Sequence, residues 1–219
     1  MANRKVVAIG AHPDDYELGA AMRLMFHALQ GDDVIGIICS DGELGGEKNT
    51  RMMEARRAAD FIGIKRLHFL HYPDTRLHEH FNELKDDLEK IISRENPLVA
   101  YLHFPQDRHQ DHETVSHASS IACRDVPNIF FYKTPATALA SFQPHIFHVG
   151  SKNDFLKKKE ALSHYKSQIK SGSVDMERVK ADLRFYCFCT ARTPTHPYAE
   201  PFCANHIVLN VMEGSSWKK

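Results

Sequence analysis

The chain has no long hydrophobic run. Nowhere do about 18 apolar residues stand together, so no membrane-spanning helix is expected. The start, Met1-Ala2-Asn3-Arg4-Lys5, lacks the apolar core of a secretory leader. Cysteine is scarce: five in 219 residues do not make a disulfide scaffold, and an odd number would strand one thiol. With 11 Gly and 10 Pro, the chain is neither fibrous nor disordered in composition. Neither sign of charge is in excess. Twenty-eight basic and 28 acidic residues give zero formal charge, hence no broad footprint for nucleic acid or an anionic membrane. The run Lys157-Lys158-Lys159 reads as a solvated helix face. No repeat and no Pro/Gly/Ser-rich linker divides the chain, so one domain over residues 1–219 is expected, in a reducing cytoplasm. The sequence leaves the oligomeric state open, a homo-oligomer included.

Several signatures are missing as well. After Gly10 the chain reads Ala-His-Pro, so the dinucleotide fingerprint Gly-x-Gly-x-x-Gly is absent. There is no phosphate-binding P-loop, no His-Glu-x-x-His and no Cys-x-x-Cys. Cys187 and Cys189 lie in a predicted helix and read as packing residues. What is abundant is histidine, 15 residues, which raises the prospect of metal or proton chemistry.

Apolar patterning alternates between two periods. Lys5–Gly10, Val34–Cys39, Leu67–Leu70, Leu98–Phe104 and Ile129–Tyr132 read as buried strands. Between them, Leu18–Leu29, Met52–Ile62, Phe81–Ile91 and Val115–Ala122 carry helical spacing, with Gly31 and Gly63 as stops. The alternation predicts a three-layer α/β/α, Rossmann-like domain with a mostly parallel sheet. The C-terminal region is more elaborate. It carries an antiparallel piece within Phe142–Val149, one helical pattern over Leu162–Ile169, another over Met176–Tyr186, and a late strand over Ile207–Val211.

Ligands in open α/β sheets bind at the carboxyl ends of the strands, and three polar loops fall there. In Ala11-His12-Pro13-Asp14-Asp15, an imidazole and a carboxylate three residues apart can converge on one cation, leaving the adjacent carboxylate for proton transfer. Read alone, the Asp pair equally suits capping a helix that starts near Glu17. Asp107-Arg108-His109-Gln110-Asp111-His112 alternates two histidines with acids before a helix, so one histidine can complete a His/Asp/His site and the other can act as acid or oxyanion donor. Alone it also reads as a hydrated loop. Coincidence of the two loops on one sheet edge favours chemistry. His68, His71, His78 and His80 match no metal spacing and read mainly as a solvated surface or pocket rim, with nickel binding a weak alternative.

These loops resemble the signatures of the LmbE / PIG-L family of zinc-dependent N-acetylglucosamine deacetylases. Ser40-Asp41-Gly42-Glu43-Leu44-Gly45-Gly46 is similar to its second-strand loop, Arg51 and Glu54 to its Arg-x-x-Glu helix, and Tyr72-Pro73-Asp74 to its Pro-Asp turn. His164-Tyr165-Lys166-Ser167-Gln168 and Tyr198-Ala199-Glu200-Pro201-Phe202 are similar to its later segments. The resemblance implies zinc held by His12, Asp15 and His112, or another first-row divalent metal, and Asp14 as general base. A protonated His109, tuned by Asp111, would be the oxyanion donor or the acid for the leaving amine. It further implies Arg51 on the sugar; Glu43 in the second-strand loop and Tyr16 beside the metal loop are read as additional substrate contacts. Tyr16 stands where many relatives carry an acid, Gln110 where proline is common, and Ala20-Ala21 where glycine pairs are common. Tyr16 equally suits packing over the first helix. The implied reaction is removal of acetyl from an N-acetylglucosamine conjugate or related N-acyl amino sugar. The alternatives are an amidase on a thiol-sugar conjugate and a catalytically silent sugar-binding protein of the same fold.

Overall fold

The computed structural model describes residues 4–190 and 195–208. Five strands run parallel: β1 (Lys5–Gly10), β2 (Asp33–Ser40), β3 (Arg66–Tyr72), β4 (Val99–His103) and β5 (Asn128–Tyr132). With β6 (Ile146–Gly150) and β7 (Tyr198–Ile207) they form one sheet in the order β3-β2-β1-β4-β5-β7-β6. β7 is antiparallel to both of its neighbours. Alternate residues of β1 divide between the sheet's two faces, as a strand's period of two requires. Val7 and Ile9 pack with α3 (Phe81–Glu95) and α4 (Gln110–Ala122); Val6 and Ala8 pack with α1 (Asp15–Leu29) and α2 (Lys48–Ile62). Both faces are thus covered, which is why these strands read as unbroken apolar runs. The three-layer expectation holds. No helix among the described residues is long and apolar enough to cross a membrane.

The C-terminal third departs from its expected outline in four places. The pattern over Leu162–Ile169 is two helices, α5 (Lys152–Ser163) and α6 (Lys166–Ser171). The break falls at Tyr165, whose non-helical backbone (ψ 60°) sends its ring into the core, where its hydroxyl donates to Glu17 Oε1 at 2.8 Å. The late strand is β7, which ends where the expected one begins; Pro201, a residue that argues against an interior strand, obscured it. Residues 209–211 lie outside the described residues. Lys158 is not solvated: it is fully buried and donates to Glu200 Oε1 at 2.7 Å. Cys189 follows α7 (Met176–Phe188) and is exposed, while Cys187 is partly buried.

Candidate active site

The β1–α1 loop sets the geometry. Asp14 occupies the left-handed region (φ 100°), a strained position for a residue other than glycine, and its side chain makes no cap bond. It is buried beside Arg51, whose Nη1 lies 3.6 Å from Asp14 Oδ2. Burial, partly opposed by Arg51, pushes the Asp14 carboxyl up to about 7, near the value suited to a proton acceptor at neutral pH.

The next residue faces the histidines. Asp15 Oδ2 accepts the His12 backbone N–H at 2.7 Å and lies 3.1 Å from His103 Nε2. Asp15 Oδ1 lies 3.3 Å from His112 Nε2. His12 Nδ1 is 3.6 Å from Asp15 Oδ2, whereas its Nε2 is 3.1 Å from both Asp111 Oδ2 and Asp74 Oδ1. His112 Nδ1 is likewise held, 3.3 Å from Asp107 Oδ1 and from Thr134 Oγ1. Each imidazole thus has one nitrogen fixed by a carboxylate and the other turned toward Asp15. That arrangement is how metal-binding histidines are oriented, so the donor set fits a divalent cation. Among the described residues, three overlapping groups bring ligand atoms within 4.8 Å of one another: His12/His109/His112, Asp15/His103/His112 and His12/Asp74/Asp111. Burial alone would lower both histidines. Asp111, Asp15 and Asp74 nevertheless hold His12 well above its ordinary value, and Asp15 with Asp107 raises His112 to about 9.

His109 is half-buried, stacked on His112 at 4.6 Å and edge-on to His12 at 4.7 Å. Burial and the charges of His12 and His112 lower its pKa, a direction that runs against the expected protonated imidazole. Its Nδ1 accepts the Asp111 backbone N–H at 3.3 Å, which leaves the neutral ring's proton on Nε2 as a donor. The Asp111 carboxylate acts on His109 by its charge, which partly opposes the lowering, and not by a hydrogen bond. It instead grips His12 and accepts the backbone N–H groups of Thr75 and Leu77.

These groups open into a cavity of about 390 Å³, lined by Asp14, Asp15, His12, His109 and His112 together with Arg51, Asp74 and Gln168. Arg51 donates to Pro13 O at 2.9 Å, while its buried Nε and Nη1 have no hydrogen-bond partner. Two expected substrate contacts are not at this cavity. Glu43 is exposed and occupied as a brace, accepting the Asp74 N–H at 2.9 Å. Tyr16 is fully buried, pointing toward Gly36 on β2, so it packs beneath α1. Sequence reasoning assigned no role to His103, Asp107 or Asp74. His103 hides within an apolar strand, whereas Asp107 and Asp74 stood inside quoted motifs.

Residues 7–123 match the family described as PIG-L, GlcNAc-PI de-N-acetylase. An uncharacterized deacetylase, YaiS, of Escherichia coli K12 is 37% identical over 174 residues, covering 76% of this chain and 94% of that protein. The chain belongs to the PIG-L family. As a member, it is an N-deacetylase, a hydrolase of an amide C–N bond. A diacetylchitobiose deacetylase of Thermococcus kodakarensis is 26% identical over 156 residues, 65% of this chain and 57% of that one. A crystal structure of a conserved Thermus thermophilus protein superposes with TM-score 0.76 at 25% identity, covering 96% and 99% of the two chains. The PIG-L match ends near the close of α4, so the two histidine loops lie inside it and the chain from β5 onward lies beyond it.

Proposed function

We propose that this PIG-L protein is a zinc-dependent N-deacetylase of N-acetylglucosamine conjugates or related N-acyl amino sugars. The observation that carries the reading is Asp14, a buried carboxyl poised near neutrality, next to a fixed His/Asp/His donor set at a cavity of about 390 Å³. The diacetylchitobiose deacetylase relative supports the sugar class. His12, Asp15 and His112 would hold the metal, which when bound supplies a lowered water pKa and a polarised acyl carbonyl. Asp14 takes the proton of the attacking water. His109 Nε2–H donates to the acyl oxygen as it gains negative charge, a fixed donor aimed where charge develops. Protonated Asp14 then returns its proton to the departing amine. The Arg51 donors that make no hydrogen bond, with Asp74 and Gln168, suit sugar hydroxyls.

The test is amine release from a panel of N-acetylglucosamine conjugates by zinc-reloaded protein, with Asp14→Asn as the blank. Asparagine tolerates the left-handed backbone, so the variant keeps its fold and metal while turnover drops about 10²–10⁴-fold. Release that survives Asp14→Asn overturns the assigned base. With zinc bound, no release from any conjugate overturns the deacetylation reading in favour of a silent sugar-binding protein.

A further inference from the structure

A cavity of about 160 Å³, open to solvent, lies apart from the active site and shares no lining residue with it. Its lining draws Arg23 from α1, Tyr101 from β4, Phe130 from β5, Phe202 from β7, and Ile146 and His148 from β6. The three aromatic rings form one cluster. Tyr101 lies 5.4 Å from Phe130 and 5.5 Å from Phe202, and Phe130 lies 6.4 Å from Phe202. Tyr101 and Phe202 are buried, while Arg23, Phe130, Ile146 and His148 are half-buried.

Arg23 is the one formal charge in this lining. Its Nε donates to the Tyr101 hydroxyl at 2.9 Å, and the guanidinium lies 5.2 Å from the centre of the Phe26 ring. The Tyr101 hydroxyl is 2.9 Å from His27 Nε2, and His27 Nδ1 is 2.7 Å from Asp32, so a buried chain fixes the anchor. Among the described residues, the two terminal nitrogens of Arg23 make no hydrogen bond and have no carboxylate within 4 Å. Glu200 takes the Arg23 backbone N–H, but its charge is held by Lys158. Burial lowers the His148 pKa, toward a neutral ring. A half-buried cation without a counter-ion is an anion site in waiting.

We propose that this cavity binds a small aromatic carboxylate, its ring against Tyr101, Phe130 and Phe202 and its carboxylate on Arg23. A space of roughly 150 Å³ holds one benzene ring, so this one takes a single ring and no fused pair. With Nε committed to Tyr101, the two terminal nitrogens are the guanidinium edge left for two parallel hydrogen bonds to a carboxylate.

The experiment is calorimetric titration of zinc-reloaded protein with benzoate, benzamide and acetate. Benzamide keeps the ring without the charge; acetate keeps the charge without the ring. Benzoate should bind at least tenfold tighter than either. Arg23→Met should weaken benzoate about 10–100-fold and leave benzamide unchanged, the worth of hydrogen bonds to a charged group. Ile146→Trp fills the cavity and should weaken both aromatic ligands at least tenfold. Removing the zinc should leave the benzoate Kd unchanged. Benzoate no tighter than benzamide overturns the anion site, and benzoate no tighter than acetate overturns the ring pocket. Benzoate seated on the active-site metal gives a different pattern, with affinity that survives both variants and is lost with the zinc; that result also overturns the proposal. Should Arg23→Met fail to fold, the three ligands on the unaltered protein, with and without zinc, and Ile146→Trp still decide.

Discussion

Lys158 and Glu200 form an ion pair with no exposure to solvent, and replacing the lysine tests how that burial is sustained. Lys158 Nζ donates to Glu200 Oε1 at 2.7 Å and to the Leu18 carbonyl at 2.6 Å. Glu200 also accepts the backbone N–H groups of Met22 and Arg23, each at 2.9 Å. Leu18 and Met22 stand four apart in α1, so the pair is joined to both ends of one helical repeat. Lys158→Met keeps the apolar stem and removes the ammonium. It leaves a buried carboxylate with two N–H donors and no counter-charge, which costs about 3–5 kcal/mol. At roughly 2–4 °C per kcal/mol for a domain of this size, Tm should fall about 6–20 °C. Urea unfolding gives the free energy directly, and Lys158→Met/Glu200→Gln should recover at least ~2 kcal/mol of the loss by removing the stranded charge. A single-variant loss below about 1 kcal/mol, or a double variant no better than the single, would refute the reasoning.

Other perturbations separate the remaining roles. His12→Ala and His112→Ala should each lose metal on dialysis, and His103→Phe should weaken retention about 10–100-fold, because His103 fixes Asp15 without lining the cavity; metal titration would reject this assignment if His103→Phe bound normally. Gly19→Ala should destabilise by about 1–3 kcal/mol, since its Cβ would stand 2.3 Å from the Tyr132 ring and 2.9 Å from the Lys133 carbonyl; an unchanged urea midpoint would contradict that packing. His27 is buried with Nδ1 2.7 Å from Asp32 and Nε2 2.9 Å from the Tyr101 hydroxyl, and burial depresses its pKa to about 4. The unfolded chain therefore binds this proton first. Stability is complete above about pH 6.5 and is lost as pH falls toward 4, by about 3 kcal/mol from this group. His27→Gln should flatten the stability–pH slope in that window, and an unaltered slope would assign the acid loss elsewhere.

The parallel half of the fold was legible because each strand is buried on both faces and each helix on one, so burial writes its period directly into the chain. The two histidine loops were legible because their residues are neighbours in sequence. Contacts made by folding one loop over another were not. Asp111 grips His12 rather than His109 because the turn at Thr75 and Leu77 holds the carboxylate by its backbone N–H groups, a register that no spacing encodes. His103 looks like one residue of an apolar strand until β4 sets it against Asp15 and stacks it 4.3 Å from His112. Lys158 sits in a run of three lysines, and only a glutamate 42 residues later makes its burial tolerable.

That last point explains what the C-terminal third contributes. Its motifs touch few cavity residues, yet they converge on the elements that carry the chemistry. Tyr165 bonds Glu17 one turn beyond Asp14, and Lys158 with Glu200 holds the next turn of α1. Ser167 donates its N–H and hydroxyl to Glu54 at 2.8 and 2.6 Å, one helical turn from Arg51. Gln168 donates to the Gly45 carbonyl at 3.1 Å, tying down the loop that faces Arg51. A base in a strained left-handed conformation and a guanidinium with two nitrogens free of hydrogen bonds keep their positions only where the surrounding structure over-determines them. The tethers supply that constraint from a part of the chain remote in sequence. Loosening any one of them should therefore impair turnover before it unfolds the sheet.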